Sequence, residues 1–312
     1  MKLQTGMKKN YILGYKKQDV KRFMPVYLMM LPGILLVFVF NYLPLPGILI
    51  AFMDYDIMAG FKSPWAGFAN FAELFAIPSF GQSILNTLYI SFLNLVIGFP
   101  APIILALLLN EVRNKVFKRT VQTISYMPYF LSWIAVIGIA SSLFSVYGIV
   151  NDVRVSLFGP ETDRIMFLSL QEMFVPNVLM ISIWKNVGWS TIIYLAAVTS
   201  VDMGLYEAAT IDGAGKFKQC WHITLPCLAP TIMILLILQI GNMFYDNFDL
   251  IYGLQNPFID FDVISTKSFK EGLTQGKYDM AAALGLFQGL VGFVLVTTAN
   301  RISKKINGYS LW

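Results

Sequence analysis

Charge is scarce in this sequence. Only 13% of its 312 residues are Asp, Glu, Lys or Arg, about half the roughly 25% of ordinary soluble domains. Hydrophobic residues make up 56% and the mean hydropathy is +0.63. That apolar excess does not fit inside one globular core, because a domain of this size still exposes much of its surface after folding. An ordinary soluble enzyme, a disordered chain and a fibre are excluded, and lipid is the solvent for most of the chain. Histidine occurs once, as His222, and cysteine twice, as Cys220 and Cys227. There is thus no metal quartet, no disulfide framework and no HExxH pair, and two unpaired thiols are expected. G-x-S-x-G is missing as well. So is a phosphate-cradling G-x-x-x-x-G-K-[ST]. Gly213-Ala214-Gly215-Lys216 comes nearest, but Phe217 follows it where a magnesium-binding hydroxyl is needed. Basic residues do not interleave with aromatics along a stripe, which argues against nucleic acid as a partner.

What is present is a set of long uncharged runs. A membrane-crossing helix needs about 20 residues with few or no charges. The apolar centres of such runs lie near 25–50, 84–109, 124–147, 178–200, 226–248 and 280–300, which predicts an all-α, polytopic membrane protein with six transmembrane helices. The first run is about twice the length of a signal-peptide core and is expected to stay as an anchor. Pro32, Pro44 and Pro46 predict that it is kinked or that its outer part is irregular.

Lys and Arg set the orientation. The N-terminal segment holds seven, the 110–123 loop four, the 201–225 loop two and the C-terminal tail three, whereas the three alternate loops share six. Both termini are therefore expected in the cytoplasm. The chain divides into a basic segment 1–22, a transmembrane domain 23–300 containing the loop 201–226, and a cytoplasmic tail 301–312.

The 201–226 loop carries helix signals of its own. Asp202 is a candidate N-cap, good helix formers run from Leu205 to Ile211, and Gly213 is placed to end that helix in a left-handed conformation. A second short helix follows, and Pro226 suits the first turn of the next span. Ala208, Ala209, Gly213 and Ala214 leave a low-relief surface between Leu205, Tyr206, Ile211 and Phe217. Two readings fit: a knob that docks on another protein, or an interfacial helix lying on the membrane.

Glu207-Ala208-Ala209, Asp212-Gly213-Ala214 and Ile223-Thr224-Leu225-Pro226 resemble the EAA motif of ABC importer permeases. Cys220 stands where that family often has Phe. The resemblance extends from about residue 24 to the C-terminus. Asn86-Thr87-Leu88 and Trp184 with Gly188 look like the carbohydrate-uptake branch. Phe248-Asp249, Leu254-Gln255-Asn256-Pro257, Gly285-Leu286-Phe287-Gln288 and Ser310-Leu311-Trp312 are most similar to the lipoprotein/polysaccharide permease subgroup. The resemblance implies that the loop couples to a separate ATPase through Glu207, Ala208, Ala209, Asp212, Gly213, Ala214, Leu225 and Pro226. It implies a pair of ATP-binding subunits, a second homologous permease and an extracellular solute-binding lipoprotein. The implied cargo is an oligosaccharide or glycan fragment, with a peptide, amino acid or lipid as the alternative. This chain would be no enzyme and would hold no cofactor, ATP and magnesium acting on the partner, and it would reside in the bacterial cell membrane. The remaining alternative, an ion-coupled secondary transporter, is expected to show several intramembrane carboxylates or broken midplane helices, often within inverted repeats. The sequence has one Lys within a span, no acid near a span centre and no obvious repeat.

Four polar residues are candidates for the substrate path: Lys185, Asn242, Asp246 and Asp249. Lys185 lies within a predicted span, where a charge costs about 2.5–3.5 kcal/mol. It is expected either to line the path or touch a partner subunit, or to snorkel towards the outer surface. Asn242, Asp246 and Asp249 close the fifth span with Asn247, beside Tyr245, Phe248 and Tyr252. They suit sugar hydroxyls and a pyranose face, or a plain aromatic belt with capping acids. Asn86 and Asn94, two turns apart on one helix face, are expected to bridge helices or to meet solute. The spacing Ala281, Gly285, Gly289 allows a close helix approach in the last span, either within the subunit or against the paired permease.

Overall fold

The computed structural model describes residues 11–12, 15–16 and 22–311. Most of the basic segment 1–22, and Trp312, lie outside the described residues. Apart from a two-residue antiparallel pair, Tyr11–Ile12 with Tyr15–Lys16, the described chain is helical or irregular.

Five helices are long and apolar enough to cross a membrane: α1 (Met24–Phe52), α3 (Pro78–Glu111), α7 (Gln171–Thr199), α9 (Lys216–Gly241) and α12 (Tyr278–Ile306). The predicted third span, 124–147, is not one straight helix. It consists of α4 (Lys115–Phe130) and α5 (Trp133–Leu143), bent 109° to each other, and the count reaches six only when this pair is one span. Pro128 and the N-cap Ser132, whose side chain accepts from Ala135 N, mark the break. Shorter helices α2 (Ala69–Ala76), α6 (Ile149–Phe158), α8 (Met203–Ile211), α10 (Phe248–Leu254) and α11 (Ile264–Phe269) fill the connections.

Prolines shape the long helices in a consistent way. Four π turns occur among the described residues, and three of them, Phe38–Tyr42, Asn94–Gly98 and Cys220–Thr224, end two residues before Pro44, Pro100 and Pro226. The proline ring strikes the carbonyl four residues earlier and offers no N–H to it. That carbonyl belongs to Phe40, Val96 or His222, the middle residue of each π turn, so the widened turn relieves the clash without ending the helix. The outer part of α1 is irregular as expected: beyond its π turn it winds as a 3₁₀ helix, Leu45–Phe52. The second short helix expected in the 201–226 loop is not separate, because Lys216–Gln219 runs through its π turn directly into the fifth span. The last helix likewise continues past residue 300, to Asn307, and ends at a left-handed Gly308. The tail then folds back, with Ser303 Oγ donating to Tyr309 O at 2.7 Å and Leu311 N to Asn300 Oδ1 at 2.7 Å.

Two apolar cores hold the bundle. One gathers Val136, Val178, Ile181, Leu250 and Ile251 around α7; the other joins Leu74, Phe80, Ile264, Met280 and Leu284 at the start of α3 and α12. Both lie towards one end of the bundle, where the loops are knitted by side-chain bonds such as Gln171 to Asp260 and Asn256 to Leu168. The 201–226 hairpin lies at the opposite end, beside Glu111. By contrast the inner part of α1, up to Tyr42, has no buried residue. Its outer 3₁₀ stretch, with buried Ala51, packs on α12 and takes a hydrogen bond from Asn70 Nδ2 to Ala51 O at 3.0 Å.

Of the repeat Ala281, Gly285 and Gly289, Ala281 makes a close approach within the chain: a Cβ on Gly272 would stand 2.5 Å from the Ala281 Cβ. A Cβ on Gly285 would meet nothing within 4 Å. A further close contact is between Gly292 and Gly241, where a Cβ at 292 would stand 3.0 Å from the Gly241 carbonyl.

Candidate functional site

The hairpin is locked by its own polar side chains. Asp202 caps α8, its Oδ1 accepting from Gly204 N at 2.9 Å. Gly213, at φ +75°, reverses the chain in a conformation that L residues avoid at roughly 1–2 kcal/mol. Gln219 is buried and donates to Thr210 Oγ1 at 2.9 Å and to Ala214 O at 3.0 Å, tying the second arm to the first. The Tyr206 hydroxyl and Thr224 Oγ1 are 2.9 Å apart, which fixes α8 to the root of α9. Tyr206 is thus turned inward and is absent from the outer apolar surface that the sequence predicts for it.

The outside of the hairpin carries large apolar side chains beside exposed charges. Ile211 is 87% exposed, Phe217 80%, Trp221 62% and Leu205 47%. Glu207 and Asp212 are exposed and make no ion pair among the described residues. Ala208 and Pro226 are exposed, while Ala209, Ala214 and Leu225 are half-buried. Lys216 reaches Glu111 at 3.5 Å, an exposed pair that contributes little. Both cysteines are free.

A cavity of about 420 Å³ opens between α3, α7 and α9, with the end of α4 on one side. Its wall carries the amides Asn94, Asn186, Gln239 and Asn242, the hydroxyls Ser182 and Ser190, and the rings of Tyr129 and Trp189. Those rings lie stacked, 4.6 Å between centroids and 5° between planes. A smaller cavity of about 250 Å³ shares Asn94, Ser182, Gln239 and Asn242 with it and extends to Asp246 and Asn247, away from the hairpin. The two form one track of amides and hydroxyls from the loop-rich end into the bundle, a lining that suits a polyhydroxylated solute. Two of the four path candidates, Asn242 and Asp246, therefore stand on it. Asp249 is exposed at the start of α10 and lines neither cavity.

Burial pushes the Asp246 carboxyl above the ordinary aspartate range, against the pull of two donors from Ser265, its hydroxyl and its N–H. Nearby Asp262 is shifted the other way. Burial raises it, but the Lys270 ammonium at 2.7 Å, Gln255 and Thr266 together outweigh burial and hold it low.

The two asparagines of α3 divide. Asn86 bridges elements, donating to Asp262 O at 2.8 Å, whereas Asn94 lines the cavity beside its π turn. Lys185 is buried, and its ammonium points at the broken end of α4, donating to Tyr129 O and Leu131 O, both at 2.7 Å, and to Pro128 O at 3.4 Å. It is not among the cavity-lining residues and does not reach the outer surface. Sequence reasoning misses Asn186, Gln239, Tyr129 and Trp189 because each lies in an apolar run whose facing direction a composition profile does not record. Their signal is only a helical spacing: Ser182, Asn186 and Ser190 repeat every four residues, on one face of α7.

Residues 98–306 match the protein family described as binding-protein-dependent transport system inner membrane component. Over 297 residues the chain is 45% identical to protein LplB of Bacillus subtilis (strain 168), covering 94% of this chain and 92% of that one. It is 44% identical over 301 residues to the polygalacturonan/rhamnogalacturonan transport system permease protein YteP of the same organism, covering 93% of each. Among solved structures, a chain of a bacterial alginate ABC transporter, crystallised in complex with an alginate pentasaccharide-bound periplasmic protein, superimposes with a TM-score of 0.84. It shares 38% identity, covering 94% of this chain and 99% of that one. A second bacterial ABC transporter structure, of a system that imports the acidic polysaccharide alginate, matches with a TM-score of 0.83 and 40% identity, over 93% of this chain and 98% of that one.

Proposed function

This chain belongs to the binding-protein-dependent transport system inner membrane component family, and we propose that it moves an oligosaccharide or glycan fragment as one of two homologous permease subunits of an ABC importer. It is a multi-pass membrane component and not an enzyme. The amide- and hydroxyl-lined track ending in the Tyr129–Trp189 stack is the observation that carries the cargo reading. Amides donate to and accept from sugar hydroxyls, and flat rings cover pyranose faces. Relatives that import alginate, or that are named for polygalacturonan and rhamnogalacturonan, support the same class.

ATP and magnesium act on a pair of ATP-binding subunits, and a solute-binding protein delivers cargo at the loop-rich end. Both termini and the 201–226 hairpin are cytoplasmic. Glu207, Ala208, Ala209, Asp212, Gly213, Ala214, Leu225 and Pro226 form the coupling element, with exposed Ile211 and Phe217 seated in a cleft of the ATP-binding subunit. Such apolar side chains, held on a hairpin with so many internal bonds, favour protein docking over a loose interfacial helix. Closing of the ATP-binding pair pushes on the hairpin, and its bonds to the root of α9 pass the displacement into the bundle. Nucleotide thereby biases an equilibrium between outward- and inward-facing states.

The test is reconstitution of the complete transporter, purified through a tag on this chain, in liposomes. Uptake is measured with oligomers of alginate, of galacturonate and of arabinose, three to five units long. ATP-dependent uptake of at least one, needing the solute-binding protein, supports the reading. Transport of none of them, or transport that continues without ATP, overturns it.

A further inference from the structure

A lysine buried at the middle of a membrane helix is costly unless its donors are used. The Lys185 ammonium has three donors, and the carbonyls of Pro128, Tyr129 and Leu131 take them. These carbonyls stand where α4 ends, at the 109° break before α5. A helix C-terminus leaves its last carbonyls without partners and carries a partial negative charge. Pro128 O already accepts from Leu131 N at 3.2 Å, so from the neighbouring helix Lys185 chiefly serves Tyr129 O and Leu131 O and the partial negative charge of the helix end. Its Nζ also lies 5.4 Å from the Tyr129 ring centre and 5.0 Å from that of Trp133, one ring on each side of the break.

The same face of α7 makes two further contacts with this end of α4. At Gly188, three residues on, the backbones touch: a Cβ there would overlap the Ser125 carbonyl oxygen. At Trp189, four residues on, the indole stacks on Tyr129. Tyr129 is thus held twice, by its carbonyl on Lys185 and by its ring on Trp189, and both rings form the wall of the larger cavity.

We propose that Lys185 is a positioning residue for the solute cavity: by fixing the broken end of α4 it holds the Tyr129–Trp189 stack in place, without touching cargo itself. The inference rests on the reading of this cavity as the solute path. It also explains why a charge is retained inside a span that lines an otherwise uncharged wall. The ammonium serves the break and is screened from the path by the Tyr129 ring.

The experiment uses the complete reconstituted transporter with Cys220→Ser and Cys227→Ser. Two single-cysteine reporters, Ser190→Cys beside the stack and Asn242→Cys across the cavity, are alkylated by a charged maleimide. Lys185→Met is expected to change the rate at position 190 at least about fivefold, with the rate at 242 within about twofold, and Lys185→Arg to restore most of the original rate. This arm needs no cargo and stands even if the solute reading fails. In the second arm, with whichever oligomer is taken up, Lys185→Met and Tyr129→Ala each raise KM several-fold with a smaller change in maximal rate. The double variant should be no worse than the more severe single one, because both act through one ring. An unchanged rate at 190, equal changes at both reporters, or additive effects on KM would overturn the proposal.

Discussion

The hydroxyls of Tyr206 and Thr224 lie 2.9 Å apart, so the first arm of the hairpin is bonded to the root of the fifth span. Thr224 is buried at the end of a π turn, two residues before Pro226. In the proposed coupling role, movement of the hairpin would be delivered to the π turn at the root of α9. Gln219 closes the other side of the hairpin through Thr210 and Ala214.

Removing these bonds should loosen coupling without unfolding the span. Each hydrogen bond is worth about 0.5–1.5 kcal/mol, so Tyr206→Phe with Gln219→Ala leaves insertion and assembly intact. The expected result is a fall of several-fold in transported solute per ATP hydrolysed, read from parallel uptake and phosphate-release assays on one liposome preparation. Unchanged stoichiometry would mean that the hairpin transmits motion by another route.

Glu207→Ala combined with Gly213→Pro is a more severe change. Proline fixes φ near about −65°, whereas Gly213 sits at +75°, so the turn has to rebuild. Uptake should drop by about tenfold or more, the factor that roughly 1.4 kcal/mol supplies. The amount of chain in the membrane, followed by immunoblot, should not change. Normal uptake by this variant would remove the coupling assignment.

Gly188 tests packing and not coupling. The Ser125 carbonyl oxygen occupies the space that a Cβ at position 188 needs, so Gly188→Ala forces α7 away from α4. Overpacking of this kind costs about 1–3 kcal/mol. The thermal midpoint of the purified transporter should fall by several degrees, while Gly285→Ala, facing open space, should leave it where it was.

The carboxylates of the loop-rich end should respond to pH with opposite signs. The Asp246 carboxyl is raised by burial, so its contribution favours the folded state most at low pH and is lost as pH rises through its folded value. Asp262 is held low, so its contribution is present above the ordinary aspartate range and is lost as pH falls through its folded value. At neutral pH, Asp246→Asn should therefore raise thermal stability or leave it level, and Asp262→Asn should lower it. A thermal melt series between pH 3 and pH 8 separates the two.

Local chemistry is legible in the sequence and facing direction is not. Asp202 as N-cap and Gly213 as left-handed stop both form as read, because each depends on a few neighbouring residues. The apolar runs mark the spans for the same reason. The break between α4 and α5 escapes because residues 124–147 read as one uncharged run, in which only Pro128 and Ser132 mark it. Lys185 stands out as a costly charge, but its partners are carbonyls 54 to 57 positions away, which no spacing rule reaches. The small-residue repeat points to Gly285 and passes over Gly292, since such a repeat says nothing of which glycine another backbone approaches.

Coupling rests on Ile211 and Phe217 of the 201–226 hairpin being seated in an ATP-binding subunit. The direct measurement places a photo-cross-linking residue at position 211, then at 217, in the assembled transporter, and identifies the adducts by mass spectrometry with and without ATP. Adducts with the ATP-binding subunit from both positions, altered in yield by nucleotide, are the predicted result. Adducts with lipid or with the second permease alone, in a transporter that still imports, would contradict it.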